Sequence, residues 1–240
     1  MPADGYGSMK QIICRDLSTW TQTALRIVVR QAHQAIAERG RFRLALSGGK
    51  TPIPLFRCLA DRGSSASIDW SCCDIFWTDE RCVPPTDEAS NYGAAWSECL
   101  SLLPIPPASI HRIAGEQTPF LAATRYEQDL REHLSETTPL DLVLLGVGRD
   151  GHTASLFPGS ASLEEDARWA VPVCAPVDPS PRVTLTLPIL NAARRILFLV
   201  RGRDKREILR RLSTDRSLPA SRIEPRSGEL IWLLDREASP

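Results

Sequence analysis

Apolar and polar positions along the chain repeat with two different periods. Leu25, Val28, Ala32 and Ile36 recur at three- and four-residue steps, which predicts an amphipathic helix over 18–38. Short apolar runs at 11–15, 41–47 and 73–79 have the length of strands. The run 139–148, PLDLVLLGVG, is continuously apolar, as expected of a strand covered on both faces. Further strands are expected at 169–174, 182–187, 194–201 and 228–235, and further helices at 91–103, 119–135 and 203–212. Ser18 is the expected N-cap of the first helix and Gly40 its stop. Thr51 is expected to cap a helix whose first position is Pro52. Strands alternating with helices imply an α/β fold with a mostly parallel sheet and right-handed crossovers. No repeat or low-complexity tract appears, and prolines 104, 106, 107, 176, 179 and 181 mark loops. Residues 1–240 are therefore read as one domain, with the order of residues 1–10 left open.

In parallel sheets, ligands bind beyond the carboxyl ends of the strands. Four loops qualify, each carrying polar groups: Ser47 to Thr51, Asp79 to Arg81, Gly148 to His152, and Arg201 to Lys205. Two of them imitate nucleotide motifs. Gly49-Lys50-Thr51 ends like a phosphate-binding P-loop, but Leu44 stands where that loop needs its first glycine. Gly146, Gly148 and Gly151 match the dinucleotide fingerprint, but Pro158 and Gly159 break the chain before a helix of the required length. What survives is a pair of glycines, Gly48 and Gly49, between a strand and a helix. Their N–H groups would suit one phosphate or a carbonyl oxygen; a plain tight turn is the other reading. Lys50 either adds charge to such a site or points to solvent.

Composition narrows the possibilities. The 240 residues carry 29 Lys plus Arg and 29 Asp plus Glu, so the net charge is zero. A nucleic-acid partner is not expected without a basic excess, and any anion site must be local. No apolar run reaches membrane-spanning length, and the N-terminus lacks the apolar stretch of a signal peptide, so a cytoplasmic protein is expected. Seven cysteines occur without a C-x-x-C pair. Cys72, Cys73 and Cys82 lack a second ligand pair at zinc spacing, so no metal is expected.

The motifs LALSGGKTP (44–52), DIFWTDERCVP (74–84), SNYG (90–93), DLVLLGVGRDGHTASLFPG (141–159), PRVTLTLPIL (181–190) and GRDKREIL (202–209) occur in that order. Together they resemble the 6-phosphogluconolactonase family over residues 11 to 235. That family shares a modified Rossmann-like fold with the glucosamine-6-phosphate deaminases. The resemblance implies hydrolysis of 6-phospho-D-glucono-1,5-lactone to 6-phospho-D-gluconate, without metal or cofactor. It implies His152 as the general base, a task suited to imidazole, with Asp150 orienting it or capping the following turn. It implies Arg182 and Lys205 as phosphate ligands, assisted by backbone around Gly48 and Gly49 in the Ser47–Thr51 loop. Gly148 lets backbone approach the substrate, Asp79 and Asn91 bind it, and Arg81 stabilises the oxyanion. Asp79 is also a second base candidate, as in the deaminases.

Taken alone, these residues have plainer readings. His152 could be structural in a turn, Arg182 a solvated strand end, Lys205 a solvated helix start, and Asp79 to Arg81 a loop salt bridge. His33, His111 and His133 are given no role. Two positions depart from the family pattern: Lys50 after the second glycine, and Arg201 before Gly202. Both keep or add positive charge. A deaminase would continue its Asp-Gly-His into Asn-Glu-Pro; this chain continues Thr153-Ala154-Ser155-Leu156-Phe157-Pro158. A non-enzymatic sugar-phosphate sensor would need a DNA-binding module, and about ten residues precede the first strand. The expected partner is the small lactone itself, and the expected state a monomer or small homo-oligomer.

Overall fold

The computed structural model describes residues 9–61, 63, 67–135, 137–176 and 180–240. Residues 1–8 and the loop proline 179 lie outside the described residues. Among the described residues, ten strands form two sheets. The large sheet contains β1 (Met9–Cys14), β2 (Phe42–Leu46), β3 (Cys73–Trp77), β5 (Ile110–His111), β6 (Leu142–Leu145), β9 (Arg195–Val200) and β10 (Glu229–Asp235). Its order is β1-β10-β9-β6-β2-β3-β5, and every neighbouring pair is parallel. Successive residues of a strand point to opposite faces. Every residue of β3 and β6 is buried, so both faces of the sheet are covered there, as the apolar runs required.

The chain departs from the alternating pattern in one respect. β4 (Asp79–Arg81), β8 (Pro181–Leu185) and β7 (Ala170–Cys174) form a separate antiparallel sheet in the order β4-β8-β7. The connection from β7 to β8 is residues 175–180, too short for the crossover a parallel pair needs. β4 reads as a polar loop in sequence, because its three residues carry charges. Thr78 joins the two sheets: its N–H donates to the Leu46 carbonyl at 2.9 Å, and its carbonyl accepts from Leu185 N–H at 2.8 Å.

Helix Leu17–Arg39 packs on β1, β2 and β10. Its Trp20 is fully buried and donates its indole N–H to the Leu233 carbonyl at 3.1 Å. The cap is Asp16, not Ser18: the Asp16 carboxylate accepts the Thr19 N–H at 2.7 Å. Gly40 ends the helix as expected, in the left-handed region, with its N–H on the Ile36 carbonyl. Thr51 does not cap the next helix, Ile53–Ala60; Pro52 holds the cap position, and Thr51 stays in the turn. The third helix, Asn91–Glu98, is shorter than the expected 91–103 because a 3-10 turn takes over at Leu100–Leu102. Helices Pro119–His133 and Arg206–Leu212 match their expected segments. No helix among the described residues is long and apolar enough to cross a membrane.

The strand order places the site. From β2 the chain builds outward through β3 to β5; from β6 it builds the other way through β9 to β10. The reversal falls between neighbours β2 and β6, and the crevice above such a switch point is where open α/β sheets bind ligands.

Candidate active site

A cleft of about 280 Å³ opens at that point. The loop after β2 supplies Ser47, Gly48, Gly49, Lys50 and Thr51, and the loop after β6 supplies Gly148 and His152. Asp79, Arg81 and Asn91 come from β4 and the start of helix Asn91–Glu98, Arg182 from β8, and Lys205 from beyond β9. Residues far apart in sequence thus share one concave surface. Asp150 does not line it; it stands behind His152.

Asp150 Oδ1 lies 2.6 Å from His152 Nδ1 and accepts the His152 backbone N–H at 3.2 Å. A carboxylate at that distance makes Nδ1 the donor, so in the neutral ring Nε2 is the nitrogen that can accept a proton. Burial pushes the Asp150 carboxyl up. The charge of His152 and the hydrogen bonds to it push down harder, so it lies below the usual aspartate value. The turn is closed by Gly148 N–H on the His152 carbonyl at 2.8 Å. A Cβ on Gly148 would stand 2.1 Å from His152 Nδ1 and 2.5 Å from Asp150 Oδ1, so the pair requires glycine there. The His152 ring packs against Phe157, centroids 5.0 Å apart, and the Arg182 guanidinium lies 5.6 Å from the same ring. Phe157 therefore spaces the imidazole from the cation.

Asp79 is buried. Its Oδ2 accepts the Ser155 hydroxyl at 2.7 Å and its Oδ1 the Thr78 hydroxyl at 3.3 Å. Ser155 reaches inward because Ala154, with φ 48°, is a non-glycine residue in the left-handed region. Such strain, on the order of 1–3 kcal/mol, concentrates at functional sites. The Asn91 amide donates to the Asp79 carbonyl at 2.8 Å, while its oxygen presses on Gly48, where a Cβ would stand 1.8 Å away.

Glu80 organises this wall from below. It accepts the backbone N–H groups of Asn91, Tyr92 and Arg81, each at 2.7 Å, and the Ser90 hydroxyl at 3.0 Å. Burial raises its carboxyl above the usual glutamate value, against the pull of these four donors. Arg81 donates through Nη1 to the Ala89 carbonyl at 2.5 Å, and its buried Nε has no hydrogen-bond partner among the described residues.

Five cationic side chains line the cleft, Lys50, Arg81, Arg182, Arg201 and Lys205, against one carboxylate, Asp79. A chain of zero net charge has concentrated positive charge locally. Lys205 Nζ is 3.8 Å from Asp204, and Arg201 Nε is 3.8 Å from the Asp235 carboxylate, which also holds the Gly202 N–H at 3.0 Å. Sequence reasoning named Arg201 and Glu80 without a functional role and missed Phe157 and Ser155. Glu80 stands ten residues before the helix start at Ser90-Asn91 that it supports, so no local pattern marks it, and none marks the turn at Ala154 beside Ser155 and Phe157.

Comparison with known proteins shows the family. The family model described as glucosamine-6-phosphate isomerases/6-phosphogluconolactonase matches residues 15–232. A 6-phosphogluconolactonase of Nostoc sp. is 37% identical over 224 residues, covering 90% of this chain and 90% of its own. The crystal structure of a 6-phosphogluconolactonase from Thermotoga maritima superposes with a TM-score of 0.86 at 26% identity, covering 95% of this chain and 100% of that one. A monomeric glucosamine-6-phosphate deaminase shares the fold, with a TM-score of 0.81 at 22% identity over 96% of this chain and 98% of its own. The chain belongs to the glucosamine-6-phosphate isomerase/6-phosphogluconolactonase family.

Proposed function

We propose that this single-domain chain hydrolyses 6-phospho-D-glucono-1,5-lactone to 6-phospho-D-gluconate, with His152 as the general base. One observation carries the reading: a carboxylate-backed imidazole and a concentration of cationic side chains share one cleft at the switch point of the sheet.

His152 Nε2 accepts a proton from water as the oxygen attacks the lactone carbonyl. Asp150 holds the ring and stabilises the imidazolium that forms. The carbonyl oxygen becomes an oxyanion, stabilised by Arg81. The intermediate collapses, the ring C–O bond breaks, and the departing hydroxyl takes the proton back from His152. Water is added across one ester bond and the enzyme is regenerated. At the other end of the substrate, Arg182, Arg201 and Lys205 hold the phosphate, with N–H groups of Gly48 and Gly49 completing the cradle. Asp79 and Asn91 face the sugar hydroxyls. Asp79 is the weaker base candidate, because it is buried and both its oxygens already accept hydroxyl protons.

The direct test supplies fresh lactone from a glucose-6-phosphate dehydrogenase reaction and follows acid release. Release well above the spontaneous rate, in proportion to protein added, is the expected result; release at the spontaneous rate refutes the proposal.

A further inference from the structure

Away from the cleft, the β5 edge of the large sheet carries a second group of chemically capable side chains. His111 comes from β5, while Asp129 and His133 stand one turn apart on helix Pro119–His133. The His111 Nδ1 is 2.9 Å from Asp129 Oδ1, and the His133 Nδ1 is 3.1 Å from the same oxygen. One ligand atom from each residue lies within 4.8 Å of the others. A tetrahedral zinc ion with bonds of about 2.0–2.1 Å spaces its ligand atoms roughly 3.3 Å apart; Asp129 Oδ1 already stands near that spacing from each imidazole nitrogen, and the three groups draw together on binding.

Two further features bear on a metal at this cluster. His111 is buried and stacked on Phe76, centroids 4.4 Å apart, which fixes its ring. Its other nitrogen, Nε2, lies 3.9 Å from Asp74, itself held by Arg41 Nε at 2.7 Å. At 3.9 Å this is a charge contact, and Nε2 is buried with no hydrogen-bond partner among the described residues; a small inward shift would give it the carboxylate support that ligating histidines use. Asp129 and His133 are about a third exposed, which leaves a route for the ion and a water.

We propose that His111, Asp129 and His133 bind one divalent transition-metal ion of the zinc class, with water completing a tetrahedron. His133 Nδ1, now 2.9 Å from the Asp129 backbone carbonyl, gives up that contact on binding. The ion ties the edge strand to the helix and takes no part in lactone hydrolysis.

Cobalt(II) is the probe, added to the metal-free full-length protein. The wild type and His152→Ala should both develop the intense visible bands of tetrahedral cobalt at one equivalent, and added zinc should remove them. His133→Ala and Asp129→Asn should lose the bands, while His133→Ala keeps the wild type's rate with the lactone, which reports an intact fold. The assignment is overturned if the wild type shows no such bands, or if both variants retain them. Near-ultraviolet thiolate absorption would place the ion on cysteines and overturn it equally.

Discussion

Asp150 acts on His152 twice, through the ring at 2.6 Å and through the backbone N–H at 3.2 Å. Both contacts vanish in Asp150→Ala, but Asp150→Asn keeps the size and can still accept. It loses the charge that stabilises the imidazolium. Asp150→Asn should lower kcat roughly 10- to 100-fold with KM nearly unchanged, as read by steady-state kinetics. The pH dependence of stability follows from the direction of its shift. A carboxyl titrating below its unfolded value contributes stability that is present above about pH 4 and lost as pH falls through its folded value. Wild type and Asp150→Asn should therefore differ in denaturant stability at pH 7 and converge toward pH 3; a gap that widens in acid would contradict the assignment.

Among the elements, the helix Asn91–Glu98 depends on an acid outside itself. Glu80→Gln keeps the shape but puts an amide nitrogen against donors from Asn91, Tyr92, Arg81 and Ser90. A loss of about 2–4 kcal/mol is expected in chemical denaturation, with Asn91 displaced from the cleft wall and KM raised. A loss below about 0.5 kcal/mol would remove Glu80 from this role. The long apolar runs of β6, β9 and β10 were legible because a strand buried on both faces leaves no polar position to confuse the pattern. β5 was not, since two residues show no period. β4 was not, because Asp79, Glu80 and Arg81 look like a loop until β8 pairs with them. The Asp16 cap was missed in favour of Ser18 because both are good caps, and the strand's end decided between them. At the site, His152, Arg182 and Lys205 were legible through strand-end loops and family motifs. Arg201 joins the cleft through convergence in space, which spacing along the chain does not encode.

In the molecule as a whole, the switch point between β2 and β6 gathers the imidazole, while β8 of the small sheet and the loop after β9 deliver Arg182, Arg201 and Lys205 to the same cleft. This division of labour predicts a division in kinetics. Arg182→Ala and Arg201→Ala should each raise KM for the phosphorylated lactone about tenfold or more, since one charge-assisted hydrogen bond is worth roughly 1.5–3 kcal/mol. Unphosphorylated gluconolactone should be affected far less; equal losses on both substrates would remove the phosphate role. The base tests the account most directly. With fresh 6-phosphogluconolactone, His152→Ala should lose roughly 10²- to 10⁴-fold in kcat while KM stays within a few-fold of the wild type's. A kcat within a factor of two of the wild type's would contradict it.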